Sequence, residues 1–209
     1  NWGNTILSAR WNYVFNNRLF CNTTVSYSNY LFDINSYTNN QYLGSSGTSF
    51  TNRYSADYRS GINDWNYQID FDYKPSPKHH LKVGTGYLYH RFRPAVMTSN
   101  TSNTTGDTID LATTYHSIAN NRIYGHELSA YLEDNIKMND RLRLNLGLHF
   151  SLFHVQKQSY FSLQPRVSAR YQLGKDVTLK ASYTQMSQYV HLLSSMPIAM
   201  PTDLWVPVT

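Results

Sequence analysis

The sequence predicts an all-β chain, an antiparallel up-and-down sheet of about eight long strands of the kind that crosses a membrane as a β-barrel wall. Three observations predict it. Apolar and polar residues alternate with a period of two over stretches of about ten residues, which no helix can hold on one face. Tight turns and long polar links follow one another, so every second connection is short. Mean hydropathy is −0.51 with no run of about eighteen apolar residues, which excludes a helical membrane protein but not a barrel, whose apolar residues are interleaved with polar ones.

The first two segments, about Thr5 to Phe15 and Leu19 to Phe32, carry Leu7, Ala9, Trp11, Tyr13 and Phe15, then Val25 and Tyr27, as apolar sets. Next, Trp65, Tyr67, Ile69, Phe71 and Tyr73 oppose Asp64, Asn66, Gln68, Asp70 and Asp72, which puts three carboxylates on one face. Leu81, Val83, Thr85, Tyr87 and Tyr89 oppose Lys82, Gly84, Gly86, Leu88 and His90, and Leu128, Ala130, Leu132 and Ile136 oppose Ser129, Tyr131, Glu133 and Asn135. The alternation is cleanest from Leu142 to Phe153, where Leu142, Leu144, Leu146, Leu148, Phe150 and Leu152 face Arg143, Asn145, Gly147, His149 and Ser151. Phe161 to Leu173 and Val177 to Tyr183 repeat it.

Asn16 to Arg18, Lys74 to His79, Lys137 to Arg141 and Gly174 to Asp176 read as tight turns, rich in Asn, Asp, Gly and Pro. Asn35 to Ser60, Pro94 to Tyr124 and Tyr189 onward read as long loops, and the link near His154 to Tyr160 as a shorter one. All tight turns then fall at one end of the sheet. Strands of about ten residues suit a tilted crossing of the roughly 30 Å hydrocarbon layer better than a soluble sandwich, whose strands average five or six. Aromatics such as Trp11, Tyr13, Phe15, Tyr73, Tyr87, Tyr89, Phe150 and Tyr183 stand where interfacial girdles belong.

Composition closes other routes. The net charge of +5 is scattered singly over 209 residues, without the basic stripe of a nucleic-acid binder. The single Cys21 excludes an intramolecular disulfide framework and alternates with the apolar face of its strand, a packing position. With no initiator Met, no leader at Asn1 and a last stretch running through Pro197 to Thr209, the chain is expected to be a piece of a longer polypeptide.

Glu127-Leu-Ser-Ala-Tyr-Leu-Glu-Asp134, a tight turn, then Leu144-Asn-Leu-Gly-Leu148 resembles the recurring barrel hairpin of TonB-dependent outer-membrane receptors. Gln164-Pro-Arg-Val-Ser-Ala-Arg-Tyr171 and Leu179-Lys-Ala-Ser-Tyr183 are similar to the Pro-Arg strand and its partner in that family, while Gln188-Tyr-Val-His-Leu-Leu193 and Pro201-Thr-Asp-Leu-Trp-Val-Pro207 resemble Bacteroidota versions. The resemblance implies a barrel of about 22 strands with a plugged lumen. Residues 1–209 would then be a middle portion, with the plug domain, the TonB-contacting box and the C-terminal strands outside it. It also implies residence in the outer membrane of a Gram-negative bacterium, contact with outer-membrane lipid, capture of a scarce ligand, import driven through the TonB complex, and room for a surface lipoprotein partner. No enzyme activity, cofactor or metal is implied.

Asp64, Asp70 and Asp72 are expected to line a watery lumen rather than to pair for catalysis or hold Ca²⁺. His79 and His80 in a turn, and His90, His126 and His149 on polar faces, match no metal-ligand spacing. The sequons at Asn22, Asn100 and Asn103 read as coincidence in an Asn- and Thr-rich chain. Gly84 and Gly86 precede no helix, so they are expected to relieve crowding in the wall, and Pro165 is expected near the rim because it cannot donate to a central ladder. Any ligand contact in this part is expected from the long loops and the polar strand faces; Tyr37, Tyr42, Tyr54, Tyr58, Tyr115 and Trp205 are candidates able to stack on flat ligands, with packing of the loops against one another as the favoured alternative. Two other classes stay open at this point: a small self-closing eight-stranded outer-membrane protein with a structural or adhesin role, and a soluble carbohydrate-binding sandwich.

Overall fold

The computed structural model describes residues 1–45, 47–105, 108–118, 122–195 and 202–208, without the side chains of 94–99, 108–118, 194–195 and 202–203. Its strands are β1 (Trp2–Asn16), β2 (Leu19–Leu43), β3 (Ser49–Ser76), β4 (His79–Thr105), β5 (Thr108–Ile118), β6 (Ile123–Lys137), β7 (Leu142–Val155), β8 (Gln158–Gln172), β9 (Thr178–Thr184), β10 (Val190–Ser195) and β11 (Thr202–Pro207). Nine form one antiparallel sheet in the order β1-β2-β3-β4-β6-β7-β8-β9, with β5 on the far part of β4, and β10 and β11 form a separate hairpin. Among the described residues β1 does not pair with β9, so the sheet is an open wall and not the self-closing eight-stranded barrel. The second sheet, the β10–β11 hairpin, has two strands and touches the wall at β3 and β4, so among the described residues it is not the full partner layer that a sandwich requires.

Burial is reversed relative to a soluble sheet. The apolar face is open, with Phe161 79%, Trp65 55% and Leu132 54% exposed, while Gln164 and Ser151 on the polar face are 3% and 1% exposed. Side chains crowd one another on the polar face and splay apart on the apolar one. An exposed apolar face of this extent marks a surface to be covered by membrane or by protein.

The tight turns close as their residue types dictate. Asn16 Oδ1 accepts hydrogen bonds from the backbone N–H of Arg18 (2.8 Å) and Leu19 (3.0 Å), and Asn139 Oδ1 does the same for Arg141 (2.9 Å) and Leu142 (2.8 Å). At the other end β7 and β8 join through Gln156 and Lys157 alone, with Gln156 at φ 54°.

Two expectations about the strands are corrected. The links Asn35 to Ser60 and Pro94 to Tyr124 are mostly strand: β2 and β3 stay paired out to Leu43 opposite Ser49, and β4 continues to Thr105 with β5 beside it. The expected sheet of about eight long strands is borne out with nine, and the link after Tyr189 also holds a strand pair, the β10–β11 hairpin. Pro165 lies mid-strand opposite Leu148, not near the rim. It is tolerated there because the β8–β9 ladder stops at Arg166 opposite Thr184, so β8 becomes an edge at Pro165.

Candidate functional site

The polar face of β3 to β8 carries a layered network built by cross-strand register. In the row nearest the tight turns, Asn145 Nδ2 donates to Glu133 Oε1 and Asn135 Oδ1, both at 2.7 Å, and His80 Nε2 meets Asp72 Oδ1 at 2.7 Å. Above it, Tyr131 reaches across β4 and its hydroxyl donates to Asp70 Oδ1 at 2.7 Å, while Gln68 Nε2 donates to both Asp70 oxygens at 3.0 Å. That reach requires Gly84. A Cβ there would stand 2.5 Å from both Asp70 Oδ1 and Tyr131 Cε1.

At the far end of the band the network becomes buried and aromatic. His90 Nδ1 lies 2.7 Å from Asp64 Oδ1, and Nε2 lies 3.8 Å from Glu127 Oε2, beyond hydrogen-bond range. The imidazole stacks on Phe92 at 5.5 Å and meets Phe153 edge-on at 6.1 Å. Phe153 in turn stacks on Tyr189 at 5.1 Å and 9°. The Tyr189 hydroxyl bonds Ser151 Oγ at 2.8 Å, and Gln164 Nε2 donates to the same oxygen at 2.9 Å. Phe153, Val155 and Tyr189 form the buried core cluster, with Ile123, Tyr160 and Val190 against it. The segment after β9 thus folds back over the polar face, tied also by Gln185 N–H donating to Pro165 O (3.1 Å).

The three aspartates line the polar face, each with a donor or an imidazole beside it. His79 meets Asp134 at 2.7 Å; His126, expected on a polar face, stands opposite Tyr89 on the apolar one and meets the Tyr87 hydroxyl at 2.7 Å; and among the described residues no group of three His, Cys, Asp or Glu is placed to hold a metal ion. Cys21 is buried beside Tyr13 and Phe71.

The aromatic candidates separate. Tyr42, Tyr54 and Tyr58 share one face of the β2–β3 ladder with Tyr30 and Phe32, whereas Tyr37 lies on the other. Trp205 on β11 comes to this same face, its ring 6.0 Å from Tyr30, and buried Tyr58 meets Phe32 at 6.1 Å. Tyr42 is 60% exposed and eight positions further out along the strand than Ile34, which pairs with Tyr58; that is about 26 Å away. The Tyr115 side chain lies outside the described residues. Sequence reasoning missed Glu127, Ser151, Gln164 and Tyr189 as a unit, because only strand register brings them together. The apolar residue Leu88, where the polar face of β4 breaks its alternation before His90, is the one local signal.

The arrangement is a polar, hydrogen-bonded wall with fixed side chains, able to orient a solute or pack a polypeptide. A family model described as "TonB dependent receptor-like, beta-barrel" matches residues 1–188. No curated protein matches. Among solved structures, a chain of the "Structure of the FpvAI-pyocin S2 complex" is similar, with 11% identity over 92% of this chain and 36% of that one and a TM-score of 0.43. The chain thus spans about a third of the length of that solved chain.

Proposed function

The chain belongs to the TonB dependent receptor-like β-barrel family, and on that premise we propose that it is part of the barrel wall of an outer-membrane receptor that binds a scarce extracellular ligand and imports it with energy supplied through TonB. The observation that carries this reading is the reversal of burial across the sheet: apolar side chains open on one face, hydrogen-bonded polar side chains on the other. The apolar face takes lipid. The polar face lines the lumen, where the His90 and Tyr131 layers border the ligand path or the plug that fills it. Plug, TonB-contacting segment and remaining strands are assigned to parts of the polypeptide outside these residues. The extended β2–β5 region stands on the cell surface, where Tyr42 and Tyr54 are offered to ligand or to a surface lipoprotein, while buried Tyr58 packs behind them. No catalysis is assigned.

The test is made on the native polypeptide that contains this segment. It should be several times heavier than 24.2 kDa, require detergent, fractionate with the outer membrane and support uptake that disappears when TonB is removed. A detergent-independent chain, or uptake indifferent to TonB, would overturn the proposal.

A further inference from the structure

The apolar face changes character above its aromatic band. On β4 its residues run Leu81, Val83, Thr85, Tyr87 and Tyr89, and then Arg91 and Arg93. Arg91 lies between Asn63 on β3 and Tyr124 on β6, and Arg93 lies opposite Gly61, which brings no side chain to the row. Phe92 pairs with Ile123, so Arg122 falls beside Arg93 on the same face. Three guanidinium groups therefore gather just beyond Tyr89 and Tyr124, whose rings stack at 6.2 Å.

Little neutralises them. The neighbouring Arg59 is already engaged by Asp33, at 2.6 and 2.9 Å. Arg91 Nη2 donates to Asn63 Oδ1 at 3.2 Å, and Asn63 is held by the Tyr27 hydroxyl at 3.1 Å and by Asn29. Nε of Arg91 and Nε of Arg93 are buried and have no hydrogen-bond partner among the described residues. No carboxylate forms an ion pair with Arg91, Arg93 or Arg122 among the described residues. Burial, and then the charges of Arg91, Arg122 and Arg59, hold the Arg93 guanidinium below its ordinary pKa. Half-buried cations with unmet N–H donors are costly unless an anion completes them.

We propose that Arg91, Arg93 and Arg122 form a binding site for a phosphoryl group on the outward face of the wall, at the level where the headgroups of outer-leaflet lipids stand. Planar guanidinium forks match the oxygens of a phosphoryl group, and an aromatic band just below marks the membrane interface. The lipid source rests on the membrane reading above; the anion site itself rests on the arginine geometry. A lipid headgroup and a free phosphorylated solute offer the same chemistry.

The whole membrane polypeptide is purified in a phosphate-free maltoside detergent and titrated with phosphatidic acid in the same micelles, with diacylglycerol as the uncharged control, and separately with inorganic phosphate. Native mass spectrometry reads the lipid arms and calorimetry the phosphate arm. Phosphatidic acid is expected to bind, and R122Q and R93Q each to weaken it about tenfold, while R170Q at the tight-turn end leaves it unchanged. Arg93 is half-buried, so variants are compared only when each gives the heat-modifiable folded band; exposed Arg122 carries the test if R93Q does not fold. Tighter binding of phosphatidic acid than of inorganic phosphate assigns the site to a headgroup. Equal binding, lost in R122Q, supports the anion site and assigns it to a free phosphorylated solute. Binding no stronger than that of diacylglycerol with none of inorganic phosphate, or binding indifferent to R122Q, overturns the inference. A polypeptide soluble without detergent would refute the membrane reading instead, and the phosphate arm would still decide the arginine site.

Discussion

Replacing Gly84 with Ala puts one methyl group where Tyr131 crosses β4 to reach Asp70. The new Cβ would stand 2.5 Å from the ring edge of Tyr131 against an ordinary contact of 3.4 Å, so the ring must retreat by about 0.9 Å. A retreat of that size breaks or bends the 2.7 Å hydrogen bond to Asp70. The lost bond to a carboxylate on a partly solvated face costs about 1.5 kcal/mol, and displacing the ring adds about 1 kcal/mol of packing strain. Ala recovers about 0.5–1 kcal/mol over Gly in a strand. The net expectation is a loss of about 2 kcal/mol for G84A. Urea unfolding of the whole polypeptide in lipid vesicles, followed by tryptophan fluorescence, measures it. In a Y131A background the ring is gone and only the 2.5 Å approach to Asp70 Oδ1 remains, so the same substitution should cost clearly less. An equal loss in both backgrounds, or none in either, would refute the idea that Gly84 exists to let Tyr131 pass.

Other consequences can be measured on the same material. In single-tryptophan variants, Trp11 and Trp65 on the apolar face should be strongly quenched by brominated lipid and Trp2 and Trp205 on the polar face weakly; strong quenching of Trp205 would show the faces to be reversed. Y189A should release the segment after β9 and admit protease between Gln185 and Val190, whereas Y189F should cost under about 1 kcal/mol because Gln164 still donates to Ser151. H90L should destabilise by about 2 kcal/mol, since it strips Asp64 of its 2.7 Å partner while keeping the side chain apolar, and an unchanged midpoint would mean that solvent already satisfies Asp64.

The crossing strands were legible because hydrocarbon on one side and water or protein on the other impose a strict period of two. Leu142 to Phe153 needs nothing else to be assigned. The same rule explains the failure beyond the band. Between Thr38 and Tyr42 the side chains are mostly polar on both faces, so the alternation vanishes although the backbone ladder continues unbroken to Leu43. Asp64 and His90 were each visible as polar-face residues, but their pairing spans 26 positions, and that of Asp70 with Tyr131 spans 61. Register decides such contacts, and no local pattern encodes it. Pro165 was misplaced for a related reason: whether a mid-strand position is an edge depends on where the next strand ends.

The continuation of β2, β3 and β4 past the apolar band changes what the outer part of this sheet can be. β3 alone has 28 residues, about 92 Å of extended chain, against a hydrocarbon layer of roughly 30 Å. The excess is a ladder of paired backbone, a stiff plate standing in the medium, where a free loop of equal length would sample many shapes. A visitor landing on a plate meets side chains already at fixed spacing, and the ordering cost that weakens loop-based recognition has been met during folding. Such a surface selects by fit and tolerates poorly any visitor that must be wrapped.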